Sequence, residues 1–261
     1  MKSKAARPAR SLVVNIGNTT LLGAVCEGSR VLRRLRVPSS APLPEIREAL
    51  RKLLGKTGVD RAAFCSVVPA LTAPLAGLLA EVTNAPVEQL KASAPHGLHI
   101  AYKDPSRLGT DRLAAILGAR VLHPRKRLLV IDCGTASTLT ALDADGTLCG
   151  GAILPGLGLW AEALGTRTAQ LPTLLPRRPR RATGRSPEEA ITSGLYHGHL
   201  GALERLCAQI TSECFGSADF LVLATGGNAK LFRREKLFTR IEPDLILLGL
   251  SAFATIFQHD A

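Results

Sequence analysis

Three groups of side chains in this chain have the types and spacing for phosphate chemistry. Asp132, Gly134 and Thr135 end the apolar run LLVI within the stretch 128–158, so a carboxylate, a glycine and a hydroxyl share one turn. That set suits a bound phosphate whose charge a metal neutralises. The segment LVVNIGNTTLLGAV at 12–25 repeats the pattern, with Asn15 where the later copy has Asp132 and Gly17 where it has Gly134. The third group lies in AYKDPSRLGTDR: Tyr102 and Pro105 in a loop, then Gly109 and Thr110 ahead of a helix, with Asp111 and Arg112 in its first turn. An acidic residue is favoured there by the helix dipole whatever its role, and Arg112 alone reads equally as a surface arginine or as a clamp for an anionic substrate.

Each of these groups needs an element to carry it. In the later copy, STLTAL resumes as a second strand, ADG gives a hairpin turn with glycine where positive φ is easiest, and TLCGGAIL reads as a third strand. Two such hairpins in one chain predict a duplicated fold whose halves face each other across a nucleotide cleft. In the first half, 30–37 reads as a third strand and 62–68 as a buried strand ended by Pro69. Between them Ile46, Leu50, Leu53 and Leu54 mark a one-sided helix closed by Gly55. A second stripe runs from Leu71 to Val82, and 86–90 is a further strand. The later half repeats the order: a helix at 159–164, a proline- and arginine-rich loop, and a long helix from Pro187 with Ser186 as its N-cap. A buried strand at 220–224 then leads to Thr225-Gly226-Gly227, and a terminal helix spans 245–257. The expected organisation is a basic disordered tail at 1–10, an α/β half at 11–118 and a second at 119–261, each with a mixed sheet.

Composition sets bounds. With 261 residues, 46% hydrophobic and 21% charged, the chain has the make-up of a soluble globular protein with a real core. No apolar run reaches the ~18 residues of a membrane span, and the basic N-terminus lacks a signal-peptide core, so a cytoplasmic protein without a membrane partner is expected. A net charge of +12 would draw anions, nucleotides included. Nucleic acid is not expected as a partner, because aromatics are only 4% and the one dense basic run, PRRPRR at 176–181, has none interleaved. The six cysteines, at 26, 65, 133, 149, 207 and 214, include no CxxC pair and read as reduced thiols, mostly buried. His197 and His199 are two apart, on different faces of the expected helix, which argues against a metal pair.

Taken together, NIGNTTLLG, SVVP, YKDPSRLGTDR, IDCGTAST, GGAILPGLGLWAEAL, TAQLP, GRSPEEAITSG, ATGGNAKLF and PDLILLGL, in that order, resemble the type III pantothenate kinases. These belong to the superfamily of acetate and sugar kinases, heat-shock chaperones and actin. The resemblance implies a duplicated ribonuclease H-like, actin-like ATPase fold and ATP-dependent phosphorylation of pantothenate to 4′-phosphopantothenate, which opens coenzyme A biosynthesis. It implies that Asn15, Ile16, Gly17, Asn18, Thr19, Thr20, Leu21 and Leu22 wrap the ATP phosphates and that Thr135 touches ATP. It further implies that Tyr102, Gly109, Thr110, Asp111 and Arg112, with Ser186, form the pantothenate site, Asp111 being the general base. Asp132 would hold a monovalent cation, potassium or ammonium, beside the Mg²⁺ that ATP carries, and the enzyme would be a homodimer.

Three positions depart from the family pattern. Asn15 stands where the family has aspartate, keeping an acceptor oxygen but losing a charge that helps hold Mg²⁺. Ser186 replaces a threonine, and Leu248 replaces a glutamate near the C-terminus. Asn15 and Leu248 give a second reading its support: a catalytically weakened paralogue that binds nucleotide or pantothenate as a regulatory protein. A nucleic-acid-binding accessory protein has only the net charge in its favour.

Overall fold

In the computed structural model, which describes residues 9–256, the first hairpin is built from β1 (Arg10–Ile16) and β2 (Thr20–Glu27), and β3 (Arg30–Pro38) completes a meander. Of the tail expected at 1–10, residues 1–8 lie outside the described residues, whereas Arg10 already belongs to β1 and pairs with Glu27. After α1 (Leu43–Leu54) the chain adds β4 (Arg61–Ser66) parallel to β1, then α2 (Pro69–Thr83) and β5 (Val87–Gln89) parallel to β4. The sheet order is β3-β2-β1-β4-β5. β1 is its middle strand, and Leu12, Val13, Val14 and Ile16 are wholly buried. Leu12, Val14 and Ile16 share a core with Ile46, Leu50, Leu75 and Leu79 of α1 and α2. The last turn of α1 would leave its carbonyls open; Arg33 from β3 donates to Leu53 O and Leu54 O at 3.0 Å each.

A two-residue strand, β6 (His99–Ile100), and a single 3₁₀ turn at Pro105–Arg107 precede α3 (Thr110–Leu122). The second meander follows as β7 (Arg127–Cys133), β8 (Ala136–Leu142) and β9 (Thr147–Pro155), and its tight turn uses Gly146 at φ 97°. Then come α4 (Leu157–Arg167) and the 29-residue α5 (Pro187–Phe215). Next are β10 (Phe220–Thr225), parallel to β7, and β11 (Arg240–Ile241), parallel to β10. This sheet has the order β11-β10-β7-β8-β9-β6. Without β6, it repeats the first sheet strand for strand. Leu129, Ile131, Leu139, Leu195, Leu203 and Phe232 anchor its core.

The final helix, α6 (Leu245–Ile256), belongs to the first unit. The chain therefore divides into compact units that are not a linear cut at 118: one takes residues up to Leu98, Tyr102–Pro124 and everything from Asp244, the other His99–Ala101 and Arg125–Pro243. The physical reasons are local. Helix α3 runs unbroken through 118, and α6 packs on α3, β1 and β4. Helices α4 and α5 also extend beyond the stretches their apolar spacing marks, α5 as far as the glycine C-cap at 216. The last residue expected in α6, Phe257, lies outside the described residues. All six cysteines are free, four of them buried and Cys149 and Cys214 half-buried. His199 is buried and His197 exposed, on opposite faces of α5 as their spacing requires. No helix among the described residues is long and apolar enough to cross a membrane.

Candidate active site

The β1–β2 turn exposes Asn18 and Thr19 and leaves Gly17 and Thr20 half-open. Its shape is held from both sides. Gly17 N donates to Thr20 O at 3.0 Å, Ser39 N donates to Thr19 O at 3.0 Å, and Ser39 Oγ donates to Gly17 O at 2.6 Å. Ile16 and Leu21 are fully buried, so their side chains anchor the turn from the core, and Leu22 is half-buried on β2. What the segment offers a phosphate is thus the backbone and hydroxyls of 17–20.

Asn15 is 5% exposed and sits opposite Cys65 in the β1–β4 register. Cys65 Sγ donates to Asn15 Oδ1 at 3.1 Å. Burial pushes the Cys65 thiol well up, and the negative charge of Asp111 adds to the effect, so sulfur keeps its proton and remains the donor. The adjoining residue of β4 holds α3 in place: Thr110 Oγ1 donates to Ser66 O at 3.0 Å. In this way the end of β4 brings the first hairpin and the start of α3 together.

Asp111, in the first turn of α3, has its carboxyl pushed above the usual range by burial, opposed by the Arg112 backbone N–H and the Arg112 charge. That N–H donates to Asp111 Oδ1 at 2.8 Å. A Cβ at residue 109 would lie 2.7 Å from the same oxygen, which explains the glycine. Arg112 is itself 7% exposed. Its Nη1 donates to Tyr102 Oη at 2.7 Å, and its guanidinium lies 5.8 Å from the centre of the Tyr102 ring. The Tyr102, Gly109, Thr110, Asp111 and Arg112 group is therefore assembled within one unit, with a half-buried carboxylate beside a fixed cation.

In the second unit Asp132 lies opposite Thr138 and Thr225 in the sheet register. Backbone without side chains surrounds its carboxylate: a Cβ at Gly226 would come within 2.3 Å of Asp132 Oδ1, and one at Gly134 within 3.3 Å. Gly226 also sits at φ 87°. Thr135 is exposed at the turn, and Gly156 N donates to Thr135 O at 3.0 Å. The close approach of glycine backbone sets the position of this carboxylate. Among the described residues no three His, Cys, Asp or Glu side chains converge as a metal cage. A phosphate-borne Mg²⁺ needs only one or two carboxylates.

Ser186 caps α5, accepting from Glu189 N at 3.3 Å and donating to Glu188 Oε2 at 2.8 Å. Leu248 is 7% exposed among the apolar residues of α6, so it is a core residue that needs no charged partner. Sequence reasoning missed the roles of Cys65 and Ser66. The run SVVP pointed to the end of β4, but only the sheet register places Cys65 beside Asn15.

The family model for type III pantothenate kinase matches residues 11–209. A type III pantothenate kinase of Legionella pneumophila (strain Paris) is 36% identical over 245 residues, covering 92% of this chain and 96% of that protein. The type III pantothenate kinase 1 of Francisella tularensis subsp. holarctica (strain OSU18) is 33% identical over 244 residues, covering 91% and 95%. Among solved structures, a Campylobacter jejuni protein described as a Baf family transcriptional activator aligns with TM-score 0.63 at 16% identity, covering 96% of this chain and all of that one. The (R)-2-hydroxyglutaryl-CoA dehydratase component A of Acidaminococcus fermentans aligns with TM-score 0.54 at 12% identity, covering 95% and 97%. These two share the fold, which the repeated strand order identifies as duplicated ribonuclease H-like, of the actin-like ATPase kind. The family match over 11–209 and the identity along nearly the whole length lead to one conclusion: the chain belongs to the type III pantothenate kinase family.

Proposed function

We propose that this protein transfers the γ-phosphoryl group of ATP to the primary hydroxyl of pantothenate, giving ADP and 4′-phosphopantothenate, the first step of coenzyme A biosynthesis. The observation that carries the reading is Asp111, a half-buried carboxylate with a raised pKa at the start of α3, beside the first phosphate hairpin and the Arg112–Tyr102 pair. Asp111 takes the hydroxyl proton as that oxygen attacks the γ-phosphorus; the raised pKa makes it a stronger base than an ordinary carboxylate. Arg112 and Tyr102 orient the acceptor, Arg112 through its positive charge. The turn 17–20 grips the ATP phosphates; Thr135 contacts ATP on the family resemblance alone. Such positioning carries most of phosphoryl transfer. Asp132 would hold a potassium or ammonium ion, and Asn15, through its carboxamide, borders the Mg²⁺-bearing phosphates; these cations, when bound, neutralise phosphate charge. Ser186 joins the acceptor site on the family resemblance alone.

A homodimer is part of the same proposal. Support comes from large apolar side chains left open on a single chain, Ile153 on β9 at 65% exposure and Leu159 on α4 at 40%. The free cysteines support a reducing cytoplasm.

ADP release with ATP, Mg²⁺ and potassium, measured with and without pantothenate, tests the reading. Turnover that depends on pantothenate, and that Asn15→Asp preserves or raises, is the expected result. An inert chain that Asn15→Asp restores to turnover would make this a nucleotide- or pantothenate-binding regulatory protein instead.

A further inference from the structure

The proline-interrupted basic run that the kinase chemistry leaves unused folds into a cavity. Residues 177–192 enclose about 580 Å³, lined by Arg177, Arg178, Arg180, Arg181 and Arg185, with Thr192 of α5 also on its wall. A volume of that order suits a small molecule. Among the described residues Arg178 alone of the five pairs with a carboxylate, Glu235 at 3.1 Å. Four cationic forks thus line one concavity without internal neutralisation. Thr192, 5% exposed, closes the cavity wall from α5.

The wall is also preorganised. A Cβ at Gly184 would lie 2.3 Å from Ala190 N, so the loop is pressed onto the first turn of α5. Ser193 Oγ donates to Ala182 O, and Arg185 N donates to Glu189 Oε2 at 2.8 Å. The Glu189 carboxylate, the one acidic group on the wall, is thereby engaged by backbone, and the N-terminus of α5 adds positive potential.

We infer that this cavity is a binding site for a small anion carrying two or more linked phosphates, such as a polyphosphorylated metabolite, bordering Ser186 of the proposed acceptor site and distinct from the nucleotide-binding turn at 17–20. Guanidinium forks match phosphate oxygens bidentately, and several forks in one concavity match several phosphates. Nucleic acid fits less well. The wall carries no aromatic ring on which a base could stack.

Titration calorimetry with inorganic tripolyphosphate tests this on the full-length chain, its nucleotide site first saturated with a non-hydrolysable ATP analogue and Mg²⁺. Tripolyphosphate is expected to bind under that saturation, more tightly than inorganic phosphate or a short single-stranded oligonucleotide. The affinity should fall at least tenfold in Arg180→Ala/Arg181→Ala and at least threefold in Arg177→Ala. It should hold in Arg51→Ala/Lys52→Ala, which removes the same charge elsewhere. Loss of binding once the analogue is present would overturn the site. So would an equal loss in the charge control, or unchanged affinity in both cavity variants. Tighter binding of the oligonucleotide would reassign the patch to nucleic acid.

Discussion

Burial opposes Asp111 as a charge and favours it as a base. Because its pKa is raised in the folded protein, the ionised carboxylate costs folding free energy at every pH above that value. Asp111→Asn removes the cost and, on the proposed role, the base. Turnover should drop by about 10²–10⁴-fold while the melting temperature holds or rises. The acid limb of kcat/KM should likewise lie above the ~3.9 of an ordinary aspartate. A second titrating group behaves in the opposite sense. His199 is fully buried, with Nε2 3.0 Å from Ser137 Oγ and Nδ1 unpartnered, and burial pushes its pKa down to about 4. The unfolded chain then binds the extra proton first, near pH 6.5. Stability from keeping this ring neutral is complete above about 6.5 and is lost as pH falls toward 4. Thermal melts across that window should fall more steeply for the unmodified chain than for His199→Gln. Asp111, Arg112 and Tyr102 were legible because they stand within one short motif. Neither Cys65 beside Asn15 nor Ser137 beside His199 was, since partners 50 and 62 positions apart meet only through sheet register and packing.

Elements were readable where local chemistry marks their ends. The glycine after α1, the serine cap of α5 and the glycine in the β8–β9 turn each mark an end in the sequence itself. Strand β6 was not readable, because two residues carry no periodicity and the strand exists only through pairing with β9. Nor was the crossing of α3 and α6. There Gly118 faces Leu245 O and Gly249 faces Ala114 O so closely that an added Cβ would lie 1.9 and 1.8 Å from those oxygens. Two helices meet backbone to backbone at that point. Gly249→Ala should therefore force them apart, costing about 1–3 kcal/mol, and chemical denaturation should show a lower midpoint without a changed slope.

At the scale of the whole molecule, the duplication was visible in two hairpins and proved to extend to the order of all five strands shared by the sheets. What a linear reading missed is the return of the chain's end. Helix α6, more than 100 residues beyond α3, completes the first unit. A strongly apolar helix announces burial but not the surface it will cover. The excess of basic residues, 33 against 21 acidic, gives the surface a field that attracts phosphorylated ligands to the kinase site and to the arginine cavity alike. The central claim is that Asp111 activates a pantothenate hydroxyl toward ATP. Its most direct test follows an isotopic label from the γ-phosphate of ATP and asks by mass spectrometry where the label comes to rest. The account predicts label on the primary hydroxyl of pantothenate with the unmodified chain and almost none with Asp111→Ala. Undiminished transfer in Asp111→Ala, or label released only as inorganic phosphate by the unmodified chain, would contradict it.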